Sequence, residues 1–220
     1  MEIYMKIQKP KLQPELMEII DFIDFIQDAR QNETELEVIH IKGAYCVGED
    51  ISGARFSSVL FENCRFNECC FAKSTFIDVV FKNCDFSNCD MNQGYFNRCE
   101  FLMNKAIGAK ITEASMKDVF INESNFKYVN FDRTKFDVVE IRNSSFESAS
   151  MTECKVKNLQ CEKAEFVNTN FFRTPLKGID FTKSTITGMI VSAEGGELKG
   201  AIVDLYQASE LAKLFGVIIR

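Results

Sequence analysis

Every fifth residue from Leu36 to Val191 is apolar, through 32 consecutive positions without a break. Sixteen of the chain's 21 phenylalanines stand in this one frame. Random placement would put only about a fifth of them there, and a fixed period is the first thing that decides a fold. Helices repeat at about 3.6 residues and strands at about 2, so neither explains the pattern. A period of five describes a coil that shows one large side chain to its axis, turns, and repeats. One such unit is too short to bury a phenylalanine by itself, so each must stack on its neighbours.

Two residues before each large side chain lies a second row of small ones, running through Ala54, Val59, Cys64, Cys69, Ser74 and Val79 and continuing as far as Ala164. Both rows face inward. The other positions face outward and carry most of the charge, for example Glu62, Arg65, Asp85 and Arg98. Ser58, Asn63, Asn83 and Asn88 recur two residues after the large side chain. Short polar side chains that bond the nearby backbone suit a corner there. Six of the nine cysteines fall in the small row, and Cys46 and Cys161 in the large one, so cysteine serves as a small buried apolar residue. No Cys-x-x-Cys pair occurs, which argues against zinc. With four units per turn, Cys64 would lie under Cys84 and Cys69 under Cys89, leaving metal or redox use of that cluster as the alternative to core packing. No metal and no cofactor are expected.

A chain of 220 residues that is 46% apolar can bury a sizeable core, and the repeat makes that core a single one. No run of eighteen apolar residues exists, and the first residues lack the apolar stretch of a signal peptide. These features point to a cytoplasmic protein with no membrane partner.

The units Ala54–Ser58, Cys64–Glu68, Cys84–Asn88 and Ala164–Asn168 resemble pentapeptide repeats: a small residue, a polar one, Leu or Phe, then two polar ones. The resemblance extends over about residues 36–203. It implies an all-β solenoid, a right-handed quadrilateral β-helix with one repeat per face and four per coil. That makes about eight coils, a rod roughly 38 Å long at about 4.8 Å per coil.

Both ends of such a rod need covering. Residues 1–35 are expected to cap the first coil. Pro14, followed by Glu15 and Glu18 and the stripe Leu16, Ile19, Ile20, Ile23, Ile26, reads as a helix start, with a strand as the alternative. Residues 36–193 form the repeat and 194–220 the last repeats with a C-terminal tail. After Val191 the frame slips by two. Tyr206–Phe215 reads as a helix ended by Gly216, and Val217–Ile219 as a final strand. The tail from Gly196 to Ile219 is similar to that of the Qnr quinolone-resistance proteins and their Gram-positive relatives, which implies two subunits joined tail to tail. Leu205, Leu211, Leu214, Phe215, Val217 and Ile219 exceed what one rod end needs, and a twofold homodimer would use the patch twice. A monomeric cap is the alternative.

No nucleophile, phosphate-loop or zinc-protease motif is present, and the one histidine, His40, faces outward alone, so no enzyme is expected. The Qnr resemblance implies a DNA mimic that binds DNA gyrase or topoisomerase IV and protects them from fluoroquinolones. Charge supports this weakly. Residues 36–191 carry 20 acids and 19 bases, while residues 1–35 carry 8 acids and 4 bases, so most of the net charge of −6 sits at the N-terminal end. The candidate acidic face, Glu49, Asp50, Asp90, Glu113, Asp132 and Glu153, is interleaved with Lys73, Lys110, Arg133 and Arg173. Interleaving of this kind also argues against direct nucleic-acid binding through the basic face that carries Arg55, Arg98 and Lys117. An outward apolar group, Leu60, Val80 and Phe120 with Leu102 and Met103 between them, is a candidate partner surface. It supports the alternative of a scaffold for a partner unrelated to topoisomerases.

Overall fold

The period of five becomes a spatial period of twenty. Leu36 pairs with Phe56, Phe56 with Phe76, Phe76 with Phe96, and Phe96 with Met116. Four units therefore close one turn. The protein is described by a computed structural model covering residues 6–32 and 34–220. Its elements are β1 (Met17–Ile19), α1 (Phe22–Gln31), β2 (Leu36–Lys42), β3 (Tyr45–Val47), β4 (Arg55–Glu62), β5 (Arg65–Asn67) and β6 (Thr75–Lys82). They continue with β7 (Tyr95–Leu102), β8 (Ser115–Asn122), β9 (Lys135–Arg142), β10 (Lys155–Glu162) and α2 (Leu205–Leu214). One face is a parallel sheet in the order β1-β2-β4-β6-β7-β8-β9-β10, and β3 pairs with β5 on another. Single parallel bridges such as Asp50–Cys70, Cys70–Asp90 and Asp85–Lys105 carry the remaining faces. The result is a parallel β-solenoid. The seven strands from β2 to β10 on the main face mark about seven turns, close to the eight expected, and bridges such as Glu165–Thr185 and Asp180–Ile202 continue the coil beyond β10.

Corner chemistry follows from the backbone. From Leu36 to Leu176, the residue two after the large inward side chain is left-handed, with φ of +55° at Ser58, +52° at Asn83 and +59° at Asn88. Asparagine tolerates that conformation and β-branched residues resist it. Val38 and Val138 nonetheless adopt it, at φ +56° and +57°.

Inside, phenylalanines stack coil on coil. Phe56, Phe76 and Phe96 stack with centroids 5.1 and 4.9 Å apart, and Phe61, Phe81 and Phe101 at 5.2 and 4.7 Å. Polar residues of the small row stay satisfied by serving the neighbouring coil. The Ser74 hydroxyl donates to the Ile51 carbonyl at 3.1 Å. Buried Asn104 accepts from the Cys84 N–H at 2.7 Å and donates to the Phe81 carbonyl at 2.8 Å.

The N-terminal end departs from the sequence expectation. Pro14 does not open a helix. Met17–Ile19 instead pairs in parallel with Ile39–Ile41 as an extra rung, and Asp21 caps α1 by accepting from the Asp24 N–H at 3.1 Å. Pairing with an open sheet edge outweighs the local helical stripe, because that edge would otherwise leave backbone groups unbonded. Helix α1 buries Phe22, Ile26 and Ala29 over the first coil, with Phe22 edge-on to Phe61 and Phe66. Residues 6–16 do not cap at all. They run back along the outside of the rod as an extended strap. The part of the capping segment at residues 1–5 and 33 lies outside the described residues.

At the other end, the coil-to-coil bond Phe171 N–H to Ile190 O gives way to Leu176 N–H to Glu197 O, which is the slip of two. Asp204 and Gln207 form a reciprocal capping box that starts α2. The Gln207 amide then donates to Phe181 O and Ser184 O, fastening the helix to the last coil. The helix stops before Gly216, at φ +77°. Val217–Ile219 is not a strand, contrary to expectation: among the described residues no strand pairs with it, and an extended segment needs a neighbour for its ladder bonds.

Candidate interaction surfaces

The outward apolar group is partly assembled by the solenoid and partly covered by the strap. In register, His40, Leu60, Val80, Glu100 and Phe120 form one continuous row, so Glu100 separates Phe120 from the two aliphatic residues. All are half-buried. Leu102 belongs to a different column, with Lys82 and Asn122, and Met103 is an exposed corner. Beside this row runs the corner row Ser58, Asp78, Arg98 and Asp118. Three strap amides land on it: Gln13 N–H on Ser58 Oγ, Lys11 N–H on Asp78 Oδ1 and Gln8 N–H on Asp118 Oδ1, each at 3.0 Å. Burial alone would raise the Asp78 carboxyl. The Arg98 guanidinium, at 2.6 Å on both oxygens, and the Lys11 amide hold it below its ordinary value instead.

The six candidate carboxylates are largely engaged in the fold. Asp50 meets Arg30 at 3.4 Å, Glu113 meets Arg133 at 2.9 Å and Glu153 meets Arg173 at 3.2 Å. Asp50 and Asp90 accept from the N–H two residues on, and Asp132 accepts from the Thr152 N–H at 3.0 Å and the Ser150 hydroxyl at 2.6 Å. Glu49 is half-buried. Among the described residues, nine of thirteen ion pairs join residues twenty apart, so these charges are paired mostly one coil away along the axis.

The C-terminal tail leaves its apolar side chains in water. Leu205 is 89% exposed and Ile218 83%, while Leu214, Phe215, Val217 and Ile219 are exposed to about half. Leu211 is half-buried against the core. The Phe215 ring covers Gly195, where any Cβ would collide with it at 2.4 Å. Ile202, bridged to Asp180, is exposed as well.

Seven of the nine cysteines are buried in the core, Cys70 and Cys161 being only half-buried. The Cys64 thiol donates to Ile41 O and the Cys89 thiol to Phe66 O, and burial pushes the thiols of Cys99 and Cys154 up to about 12. Hydrogen bonding with Cys89 holds the Cys69 thiol below its ordinary value. Among the described residues no three His, Cys, Asp or Glu side chains are grouped to hold a metal ion. His40 lies 3.3 Å from Glu62. Among the described residues no helix is long and apolar enough to cross a membrane.

Three features had escaped the sequence reading. Gln207 and buried Glu197 join the tail to the last coils; the Asp204-x-x-Gln207 spacing is a capping-box signal that marks the first of them. Glu197 carries no local signal, since its donors include the N–H of Arg173 at 2.7 Å. The Ser58–Asp78–Asp118 row had none either, because its partners lie 45 to 110 residues away.

A coil of twenty residues, a left-handed corner in nearly every unit and a stacked phenylalanine core define the class, and a family model for the pentapeptide repeat region matches residues 54–131. The chain has the pentapeptide-repeat β-helix fold. Within that class it is similar to QnrB1, a plasmid-mediated fluoroquinolone resistance protein. The structure of a trypsin-treated QnrB1 variant is 25% identical with a TM-score of 0.67, over 82% of this chain and 90% of that one. A second trypsin-treated variant, 18% identical with a TM-score of 0.55 over 82% of this chain and 99% of that one, shares the fold. No curated protein sequence matches the chain.

Proposed function

We propose that this protein is a non-catalytic, Qnr-like, cytoplasmic rod that binds a type II topoisomerase, gyrase or topoisomerase IV, and lessens the action of fluoroquinolones on it. The observation that carries this reading is the likeness to QnrB1 over 90% of that chain. We further infer a homodimer through Leu205, Leu211, Leu214, Phe215, Val217 and Ile219. Most of these apolar side chains are exposed in the C-terminal tail, and a second copy would bury them and give Val217–Ile219 the neighbour its backbone lacks.

The paired charges of the rod give a poor imitation of DNA, whose phosphates supply a charge about every 1.7 Å of axis. The unbalanced acids Glu18, Asp21, Asp24 and Asp28 lie in the N-terminal cap instead, with Glu15 at the end of the strap, and all are exposed. In a tail-to-tail dimer they would stand at the two outer ends, placed to steer onto a basic enzyme surface. Binding to immobilised gyrase should therefore weaken as salt rises. The Leu211→Asp, Phe215→Asp double variant should scatter light as a monomer and bind more weakly, with the rod's thermal melting retained. A surviving dimer would move the interface elsewhere, and salt-independent binding would remove the electrostatic account.

A further inference from the structure

We propose that the groove along Ser58, Asp78 and Asp118 is a docking site for an extended, lysine-bearing peptide, and that the chain's own residues 6–13 occupy it while that partner is absent. This inference is independent of the topoisomerase reading, and either can fail alone.

The groove recognises a backbone through side chains only. In the strap, the amides of Gln8, Lys11 and Gln13 all bond to side-chain oxygens. The solenoid's own amides bond from coil to coil, so the strap is no rung of the sheet and can leave without breaking a ladder bond. The strap lies closely over these side chains: with it in place Ser58 is 8% and Asp118 4% exposed, whereas corner residues such as Asn63, Asn83, Asn88 and Arg133 are exposed. The spacing also fits: three extended residues from Lys11 to Gln8 span roughly 10 Å, about the rise of the two coils between Asp78 and Asp118. Pro10 favours the extended form.

Chemistry points to the kind of occupant. Residues 6–13 carry Lys6, Lys9 and Lys11 and no acid. They lie over the corner row of Asp78, Arg98 and Asp118 and beside the row that runs through Glu100 and Phe120 to Glu140. Acids outnumber bases in these two rows, and Arg142 meets Glu140 from the next column. Half-buried Ile7 and Phe120 line one groove of about 550 Å³, which runs on past Gln8 to Glu140 and Gln160. An outside ligand would thus be an extended peptide alternating lysines with apolar anchors.

The test uses the full chain carrying Ile7→Asp and Leu12→Asp, which removes two half-buried apolar side chains of the strap. The probe is a fluorescein-labelled synthetic peptide with the sequence of residues 6–16, followed by anisotropy. It should bind this variant at least about tenfold more tightly than the unaltered chain, whose tethered strap competes at an effective concentration of order mM. Binding should weaken between about 0.05 and 0.5 M salt. It should be lost when Asp118→Asn is added or when the peptide's three lysines are glutamates. No binding to the variant, or binding indifferent to Asp118→Asn, overturns the proposal. Hydrogen exchange on the unaltered chain gives an independent check. The amides of Gln8, Lys11 and Gln13 should exchange at least about a hundredfold faster than those of β7, through local opening. Exchange in step with β7 would make the strap a fixed part of the fold and overturn the proposal.

Discussion

Phe81 shows what a single position must do in this fold. Its ring is fully buried, lies between Phe61 and Phe101 and meets Phe86 edge-on at 5.2 Å. Coil-to-coil backbone bonds hold the neighbouring rungs at fixed height, so they cannot close over a void. Phe81→Ala should cost about 3–5 kcal/mol in urea unfolding, and a loss below about 1 kcal/mol would contradict the register. The corner gives the opposite sign at Val38, a half-buried β-branched residue at φ +56°. Val38→Asn should raise stability by about 0.5–1 kcal/mol, because asparagine accepts the left-handed conformation that valine resists. A lower melting temperature would mean that Val38 packing outweighs its strain. At this scale the sequence was almost fully legible: the frame that holds Phe56 and Phe81 places every inward side chain, because one period governs both chain and space.

Elements at the rod ends were less legible, and for a physical reason. The stripe Leu16 to Ile26 reads as one helix, yet Met17–Ile19 serves the edge of β2 and only Phe22 onward is helical. Long-range pairing decided between two locally acceptable forms. The strap was invisible because nothing within residues 6–16 signals an acceptor on Asp78 or Asp118. At the other end α2 was legible from Gly216 and the apolar spacing, whereas the buried carboxylate beneath it was not. Burial of Glu197 opposes its ionisation, but the amides of Arg173 and Ser192 and the Ser192 hydroxyl outweigh that and hold its carboxyl below the ordinary 4.5. A depressed folded value stabilises the tail above the unfolded value and is lost as pH falls through the folded one. Acidification below about 4.5 should therefore release the C-terminal coil before the rod, read as early exchange of the Arg173 and Ser192 amides. Glu197→Gln should remove that pH dependence, and an unchanged profile would show that other carboxylates set it.

The whole molecule is a rod with many of its charges paired along its axis and exposed apolar side chains in its C-terminal tail. Its architecture followed from the repeat, but its surface chemistry did not. A residue's outward position can be read from the frame, whereas pairing such as Arg133 with Glu113 and the strap's cover over Phe120 depend on which coil lies above. Likeness to QnrB1 carries the functional reading, and one assay tests it most directly. Gyrase supercoiling is inhibited with a fluoroquinolone, and this protein is titrated from below stoichiometric amounts to excess. The account predicts that supercoiling recovers as the protein is added, and that the Leu211→Asp, Phe215→Asp variant rescues less well. Supercoiling that stays inhibited at every ratio, with gyrase and with topoisomerase IV decatenation alike, would contradict it.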